Sequence, residues 1–343
     1  MSVYTPHTLL VTGGAGFIGC NFVRRMLRTD PNIRIITLDL LTYAGFLDNL
    51  QDLPDPTRHT FVHGDICDYA LVQRVLRVHS IDTIVHFAAE SHVDRSIAEP
   101  APFIQTNVVG IFTLLRAACV YWLEEHDWDA EACRFYHIST DEVYGSLGPG
   151  ASPCRETTPY APNSPYAASK AASAHLVRAY ARTYGLPMTI SNCSNNYGPF
   201  QHHEKFIPTI IRACLQGKPI PVYGDGSNIR DWLHVEDHCC GIDTVLRRGR
   251  VGETYNLGGG NEWRNLDIVH LICAVLAKLT DQKEERFTRL ISFVPDRLGH
   301  DWRYALDTTK VRYELGWQPT ESFEAGIRGT VEWYLERRER LVK

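Results

Sequence analysis

Apolar positions along the chain follow two alternating rhythms. Short, nearly continuous apolar runs, "HTLLVT", "IRIITLD", "DTIVHFAA" and "RFYHI", alternate with longer stretches whose apolar residues recur every three or four positions. "FIGCNFVRRMLRTD" and "TNVVGIFTLLRAACVYWL" are of the second kind. The first rhythm predicts strands buried on both faces, and the second predicts helices. Their alternation implies right-handed βαβ units, hence an α/β fold with a doubly wound parallel sheet of the Rossmann type. After Ile190 the pattern changes, and from about Asn195 the chain is loop-rich, with "NNYGPF", "GKPIPVYGDGSN" and "GGGNEWRN". That suits a smaller, mixed α/β domain over the strand ends, where such sheets bind ligands. "DWLHVEDHCCGIDTVLRRG" reads as a helix and "ETYNLGG" as a strand, so a return to the first domain is expected. The expected division is a cofactor domain over 1–194 with a return segment at 231–257, and a substrate domain over 195–230 and 258–343.

The chain has 343 residues, 44% hydrophobic and 22% charged, enough for a substantial core in one large or two intimately joined domains. A net charge of -5 argues against nucleic acid or an anionic membrane as partner, since both demand a basic face. The opening "MSVYTPHTLL" lacks the signature of a secretory leader, and no run reaches the roughly 18 apolar residues of a membrane span, so a cytoplasmic location is expected. The ten cysteines include no C-x-x-C pair and read as reduced thiols.

Candidate chemistry starts at "VTGGAGFIG", where Gly13, Gly16 and Gly19 stand between the first strand and the first helix. Glycines there permit a tight turn and let a pyrophosphate approach the free amides of a helix N-terminus. Asp39 closes the second strand about 20 residues further on, where a carboxylate accepts ribose hydroxyls and repels a 2′-phosphate, so NAD is expected over NADP. In "SPYAASK", Tyr166 and Lys170 share a helix face at i and i+4, so the ammonium is expected to favour the phenolate. Thr140 at a strand end can hold a sugar hydroxyl while Tyr166 removes its proton. "STDEVYG" then sets Asp141 beside Glu142 where the strand "RFYHI" ends, an arrangement that by itself reads more readily as a solvated turn.

With these motifs in order, the chain resembles the extended short-chain dehydrogenase/reductases acting on nucleotide sugars, most closely the dTDP-glucose 4,6-dehydratases among them. The resemblance runs from about residue 8 to 335 and includes "LTYAG", "AAESHVDRS", "STDEVYG", "SPYAASKA", "NCSNNYGPF", "EKFIP", "YGDGSNIRDWLHVEDH" and "DRLGHDWRYALD". In that superfamily the adjacent acid pair marks dehydratases. The resemblance implies that Tyr166 deprotonates the C4 hydroxyl, that Glu142 removes the C5 proton of the resulting ketone, and that Asp141 protonates the departing C6 hydroxyl, with NAD as cofactor. It further assigns Phe17, Ile18, Leu40, Leu41, Thr42, Asp65, Ile66, Phe87, Ala88, Ala89, Ser91, Thr106 and Asn196 to the cofactor. To the substrate nucleotide and its diphosphate it assigns Ser91, Thr140, Asn195, Lys205, Phe206, Pro221, Tyr223, Arg230, Asn265, Asp296, Arg297 and His300. It also implies a homodimer paired through "TNVVGIFTLLRAACVYWL" and "SPYAASKAASAHLVRAYARTYG".

"QHHEK" (201–205) invites a metal reading, but no third separated ligand group accompanies it, and no metal is expected. His202 and His203 depart from the resemblance, which has an aromatic and a proline there, and Trp302 departs as well. Two other functions share the fold: dehydration of another nucleotide sugar such as UDP-glucose, and non-catalytic NAD-binding regulation. The intact set Thr140, Asp141, Glu142, Tyr166 and Lys170 disfavours the regulator, which would be free to lose it.

Overall fold

A computed structural model describes residues 3–341. Strands β1 (Thr8–Thr12), β2 (Arg34–Asp39), β3 (His59–His63), β4 (Thr83–His86), β5 (Arg134–Thr140), β6 (Met188–Cys193) and β10 (Thr254–Leu257) form one parallel sheet. Their spatial order is β10-β6-β5-β4-β1-β2-β3, so the order reverses between β1 and β4. A crevice opens at such a reversal, beyond the carboxyl ends of the strands. β1, β4, β5 and β6 are buried along their full length, which accounts for the apolar-leaning runs of β1, β4 and the start of β5, while β6 buries Thr189, Ser191 and Asn192 as well.

Helices cover both faces of this sheet. On one, Phe22, Val23 and Met26 of α1 (Phe17–Thr29) pack with Ile242, Val245 and Leu246 of the helix Val235–Arg248. On the other, Val72 and Leu76 of α2 (Tyr69–His79) pack with Leu114, Leu115 and Trp122 and with Val177 of the helix Pro165–Tyr184. A side chain of that size contributes roughly 1.5–3 kcal/mol when fully buried. The run Ala101–Glu124 is long and apolar enough to cross a membrane by length and composition, contrary to the sequence expectation. More than half of its most apolar window is buried inside the fold, and the helix is one wall of the core beneath the sheet. Its turns at Ile104–Gly110 and Cys119–Glu124 are π-helical.

β7 (Asn195–Tyr197), β9 (Ile229–His234) and β11 (Glu262–Arg264) make a three-stranded sheet, while β8 (Ile220–Tyr223) pairs with β12 (Ile291–Val294). These small sheets and the helices Phe206–Gln216, Asn265–Leu279 and Phe323–Glu336 share a separate core around Ile210, Ile272, Phe323 and Val331. "DWLH" is therefore strand rather than the start of a helix: Asp231, Trp232 and Leu233 are buried consecutively, and the helix begins only at Val235. β10 then lies beside β6 in the large sheet.

Candidate active site

The turn after β1 is the tightest part of the crevice. Gly13 has φ +71°, and a β-carbon on it would meet the Ala88 backbone nitrogen at 2.6 Å. One on Gly19 would meet the Gly13 carbonyl oxygen at 2.3 Å. Both positions admit only hydrogen, so α1 begins against the sheet. Its N-terminus carries no side-chain cap and no acidic residue in the first turn, which leaves its amides and dipole free for an anion. Asp39 accepts hydrogen bonds from the backbone N–H of Ala15 at 2.9 Å and of Leu41 at 2.8 Å. A carboxylate has lone pairs beyond these two for ribose hydroxyls. The turn and Asp39 thus fit a dinucleotide.

β5 delivers the second group. Thr140 ends the strand, and its Oγ1 accepts from the Glu142 N–H at 3.3 Å, capping the short helical turn Asp141–Tyr144 that carries the acid pair. Gly145, at φ +80°, ends the turn. The pair is no solvated turn: Asp141 is only 3% exposed, its Oδ1 accepts from the Thr140 hydroxyl at 3.2 Å, and its Oδ2 has no partner among the described residues. Burial above all, then Glu142 and Asp231, push the Asp141 carboxyl well above the usual carboxylate range. Burial raises Glu142 too, but Arg297, Arg230 and Lys205 oppose it. One carboxyl is biased toward its protonated form beside one with three cationic neighbours, an arrangement suited to paired acid and base roles.

The helix Pro165–Tyr184 starts cleanly, with Pro165 at its first position and the Ser164 hydroxyl accepting from the Ala167 N–H at 3.1 Å. It sets Tyr166 and Lys170 on its buried face. The expected pairing of ammonium and phenol takes another form. Lys170 Nζ donates to the Ile138 carbonyl at 2.8 Å, and burial lowers its pKa to about 8. Burial together with Glu142 holds the Tyr166 phenol well above its usual value, with Thr140 opposing. Desolvation of both groups outweighs their i, i+4 spacing, so the phenol is neutral in this arrangement.

One cleft of about 320 Å³ gathers most of the candidate residues. Its floor is Gly13, Gly16, Phe17, Ile18 and Gly19 with Phe87, Ala88 and Ala89, and one wall is Asp39, Leu40, Thr42, Asp65 and Ile66. Opposite stand Ser91, Thr106, Thr140, Asp141, Glu142, Tyr166, Lys170, Asn195, Asn196 and Lys205. The remaining candidates lie outside this lining. Leu41 serves through its amide on Asp39. Phe206 stacks on Trp232 in the smaller core, and the Asn265 N–H bonds the Asn228 carbonyl at 3.0 Å. Pro221 and Tyr223 lie on β8, where the Tyr223 ring meets His300 edge-on at 6.1 Å. His300 pairs with Asp296 at 2.6 Å and Arg297 with Asp94 at 3.7 Å. Arg230 is buried against the Tyr304 ring at 4.4 Å.

Sequence reasoning missed Tyr43, Glu90, Cys193 and His202, all of which line the cleft. His202 stacks on Phe46 at 5.6 Å and meets Tyr43 edge-on at 5.8 Å, so it fills an aromatic's place with an aromatic ring. Cys193 is opposite Thr140 in the β5–β6 register and reads in sequence as one more apolar core position.

A seven-stranded parallel sheet, a glycine turn beneath a dinucleotide cleft and a buried Tyr-x-x-x-Lys helix define an extended short-chain dehydrogenase/reductase. A sequence profile of the GDP-mannose 4,6 dehydratase family matches residues 10–330, and the chain belongs to that family. It is similar to a dTDP-glucose 4,6-dehydratase of Neisseria meningitidis, 54% identical over 333 residues that cover 96% of this chain and 94% of that one. A second relative, from Escherichia coli K12 and also named a dTDP-glucose 4,6-dehydratase, is 51% identical over 336 residues, 95% and 92% of the two chains. Among solved structures, the dTDP-glucose 4,6-dehydratase of Streptomyces venezuelae with NAD and dTDP bound superposes at TM-score 0.87, with 48% identity and 97% and 98% coverage. A UDP-glucose 4-epimerase of Thermotoga maritima with UDP-glucose superposes at 0.84, with 28% identity and 96% and 99% coverage.

Proposed function

We propose that this chain is an NAD-dependent dTDP-glucose 4,6-dehydratase, a hydro-lyase that converts dTDP-glucose to the 4-keto-6-deoxy sugar nucleotide. The observation that carries the reading is the buried, unequal pair Asp141 and Glu142, fixed at the end of β5 in the same cleft as Tyr166 and Lys170. NAD would lie along Gly13, Gly16 and Gly19 with its ribose at Asp39, and it supplies the oxidation at C4 and the matching reduction at C6. Thr140 orients the C4 hydroxyl, and Tyr166 takes its proton only as the phenolate, a form that the Lys170 charge and the positive charge of a bound nicotinamide would favour over the neutral phenol. The ketone so formed acidifies C5–H, and Glu142 takes that proton. Asp141, kept protonated by burial, gives its proton to the C6 hydroxyl, which leaves as water. Return of a proton from Glu142 to C5 resets the base, and the proton Tyr166 took from the C4 hydroxyl, passed on to Asp141 through solvent, resets the acid.

The substrate diphosphate is held in this reading by Lys205, Arg230 and Arg297, with Asn195, Asn265 and His300 around the nucleotide, since cationic forks match phosphate oxygens. The substrate lobe in this reading comprises 195–230 and 258–343 together with the rest of strand β9 to His234, and the remainder holds the cofactor. The enzyme works as a cytoplasmic homodimer. Thymidine as the base is supported by the names of the relatives at 51–56% identity. Incubation with dTDP-glucose and with UDP-glucose, followed by the alkali-dependent absorbance of a 4-keto sugar, tests it: faster turnover of dTDP-glucose is expected. A preference for UDP-glucose would reassign the base, and inertness toward both would favour a non-catalytic NAD-binding protein.

A further inference from the structure

Asp301 lies within "DRLGHDWRYALD", where the resemblance assigns it no role, yet it sits where three segments next to the acid pair meet. It is 6% exposed. Its Oδ1 accepts from Asn163 Nδ2 at 2.6 Å, and its Oδ2 accepts from the Tyr304 hydroxyl. Asn163 immediately precedes the cap of the Tyr166 helix, and the neighbouring Ala161 N–H donates to the Val143 carbonyl of the acid-pair turn at 3.0 Å. The Asp301 carbonyl accepts from Arg230 Nη2 at 2.8 Å and from Asn228 Nδ2 at 3.3 Å, while the Tyr304 ring it fixes lies under the Arg230 guanidinium. Arg230 Nη1 is spent on the carbonyls of Ile229 at 2.7 Å and Trp302 at 3.3 Å, so its position follows the 301–304 segment. Asp296, Arg297 and His300 lie just upstream on that segment.

We propose that Asp301 is a positioning residue that registers Arg230 and the 296–304 segment against the turn bearing Asp141 and Glu142 and the helix bearing Tyr166. The proposal rests on the dehydratase reading for the identity of the reaction, and on the geometry alone for the coupling. A negative charge here also bears on Glu142. The groups acting on that carboxyl are Arg297, Arg230 and Lys205, which lower its pKa, and Asp301, which raises it, with Asp141, Tyr166 and Tyr304 alongside. Removing the Asp301 charge takes away one of the influences that, with burial, oppose the cations, so the Glu142 pKa falls and the acid limb of kcat moves to lower pH.

Two variants separate charge from geometry. Asp301→Asn keeps the shape and can keep both contacts, its Oδ1 accepting from Asn163 and its Nδ2 donating to a re-oriented Tyr304 hydroxyl: its expected result is an acid limb shifted to lower pH with NAD content as in the parent. Asp301→Ala also loses the Asn163 and Tyr304 bonds: kcat is expected to fall roughly 10- to 100-fold at every pH, since small misplacements at a reacting centre cost that much. It should also bind dTDP more weakly by calorimetry, because Arg230 loses its seat. An unmoved acid limb in Asp301→Asn, together with dTDP affinity and kcat in Asp301→Ala within two-fold of the parent, would overturn the proposal. The dTDP titration needs no turnover. A parent that binds dTDP without converting dTDP-glucose would sink the dehydratase reading and leave Asp301 to be judged on binding, and a parent that binds no dTDP would overturn both.

Discussion

Asp141 and Glu142 are adjacent in sequence but differ in surroundings, and in the proposed reaction that difference divides acid from base. Asp141 has the deeper burial and two acidic neighbours, so it is the group that keeps a proton to give. Glu142 is raised less because Arg297, Arg230 and Lys205 favour its ionised form, so it is the group that can take one. Asp141→Asn should therefore still exchange the C5 hydrogen with solvent while expelling water roughly 10²–10⁴-fold more slowly, the usual worth of a positioned acid. Deuterium uptake at C5 measured against product formation checks this, and equal loss of both would contradict the assignment. These residue types and their spacing were legible in the sequence, because chemistry at a strand end needs them together. The difference between them was not, since it is set by Arg230 and Arg297, which stand about 90 and 155 positions further along the chain and reach the pair only through the fold. The same holds for Lys170: its spacing from Tyr166 pointed to an ion pair with the phenolate, and desolvation decided otherwise.

At the scale of elements, strand β1, the glycine turn and α1 act as one unit. A methyl group at Gly19 would fall within 2.3 Å of the Gly13 carbonyl, and backbone cannot give way as a flexible side chain can. Gly19→Ala should push the helix N-terminus off the turn and lose bound NAD. Cofactor content of the purified variant, read by absorbance after denaturation, is expected to drop well below that of the parent, and full retention would mean that α1 tolerates the shift. β1, β2, β4 and β5 were legible as short apolar-leaning runs buried along nearly all their length, whereas β3 is partly exposed and β6 carries Thr, Ser and Asn, so neither was. "DWLH" was not, because strand and helix share short mixed segments of this kind and the decision came from pairing with Asn195–Tyr197 and Glu262–Arg264. Asp301 was illegible for a similar reason: nothing in "GHDWRY" tells that a carboxylate there will meet Asn163.

For the whole molecule, the helix pair that includes Ala101–Glu124 and Pro165–Tyr184 leaves Ile104 (50% exposed), Phe112 (47%) and Tyr184 (57%) on the surface. Large apolar side chains left on the surface favour association, and sedimentation at micromolar concentration should give a dimer. Charged substitution at Phe112 should yield monomer, and a parent that sediments as a monomer would remove the homodimer from the account. The central claim concerns the two lobes meeting at the acid pair, and it is tested most directly by turnover of dTDP-glucose in deuterated water by the parent and by Glu142→Gln. The account predicts that the parent forms a 4-keto-6-deoxy product carrying solvent deuterium at C5, and that Glu142→Gln oxidises C4 without losing water or exchanging C5. Recovery of a C4 epimer with all its oxygens from the parent, or full C5 exchange in Glu142→Gln, would contradict it.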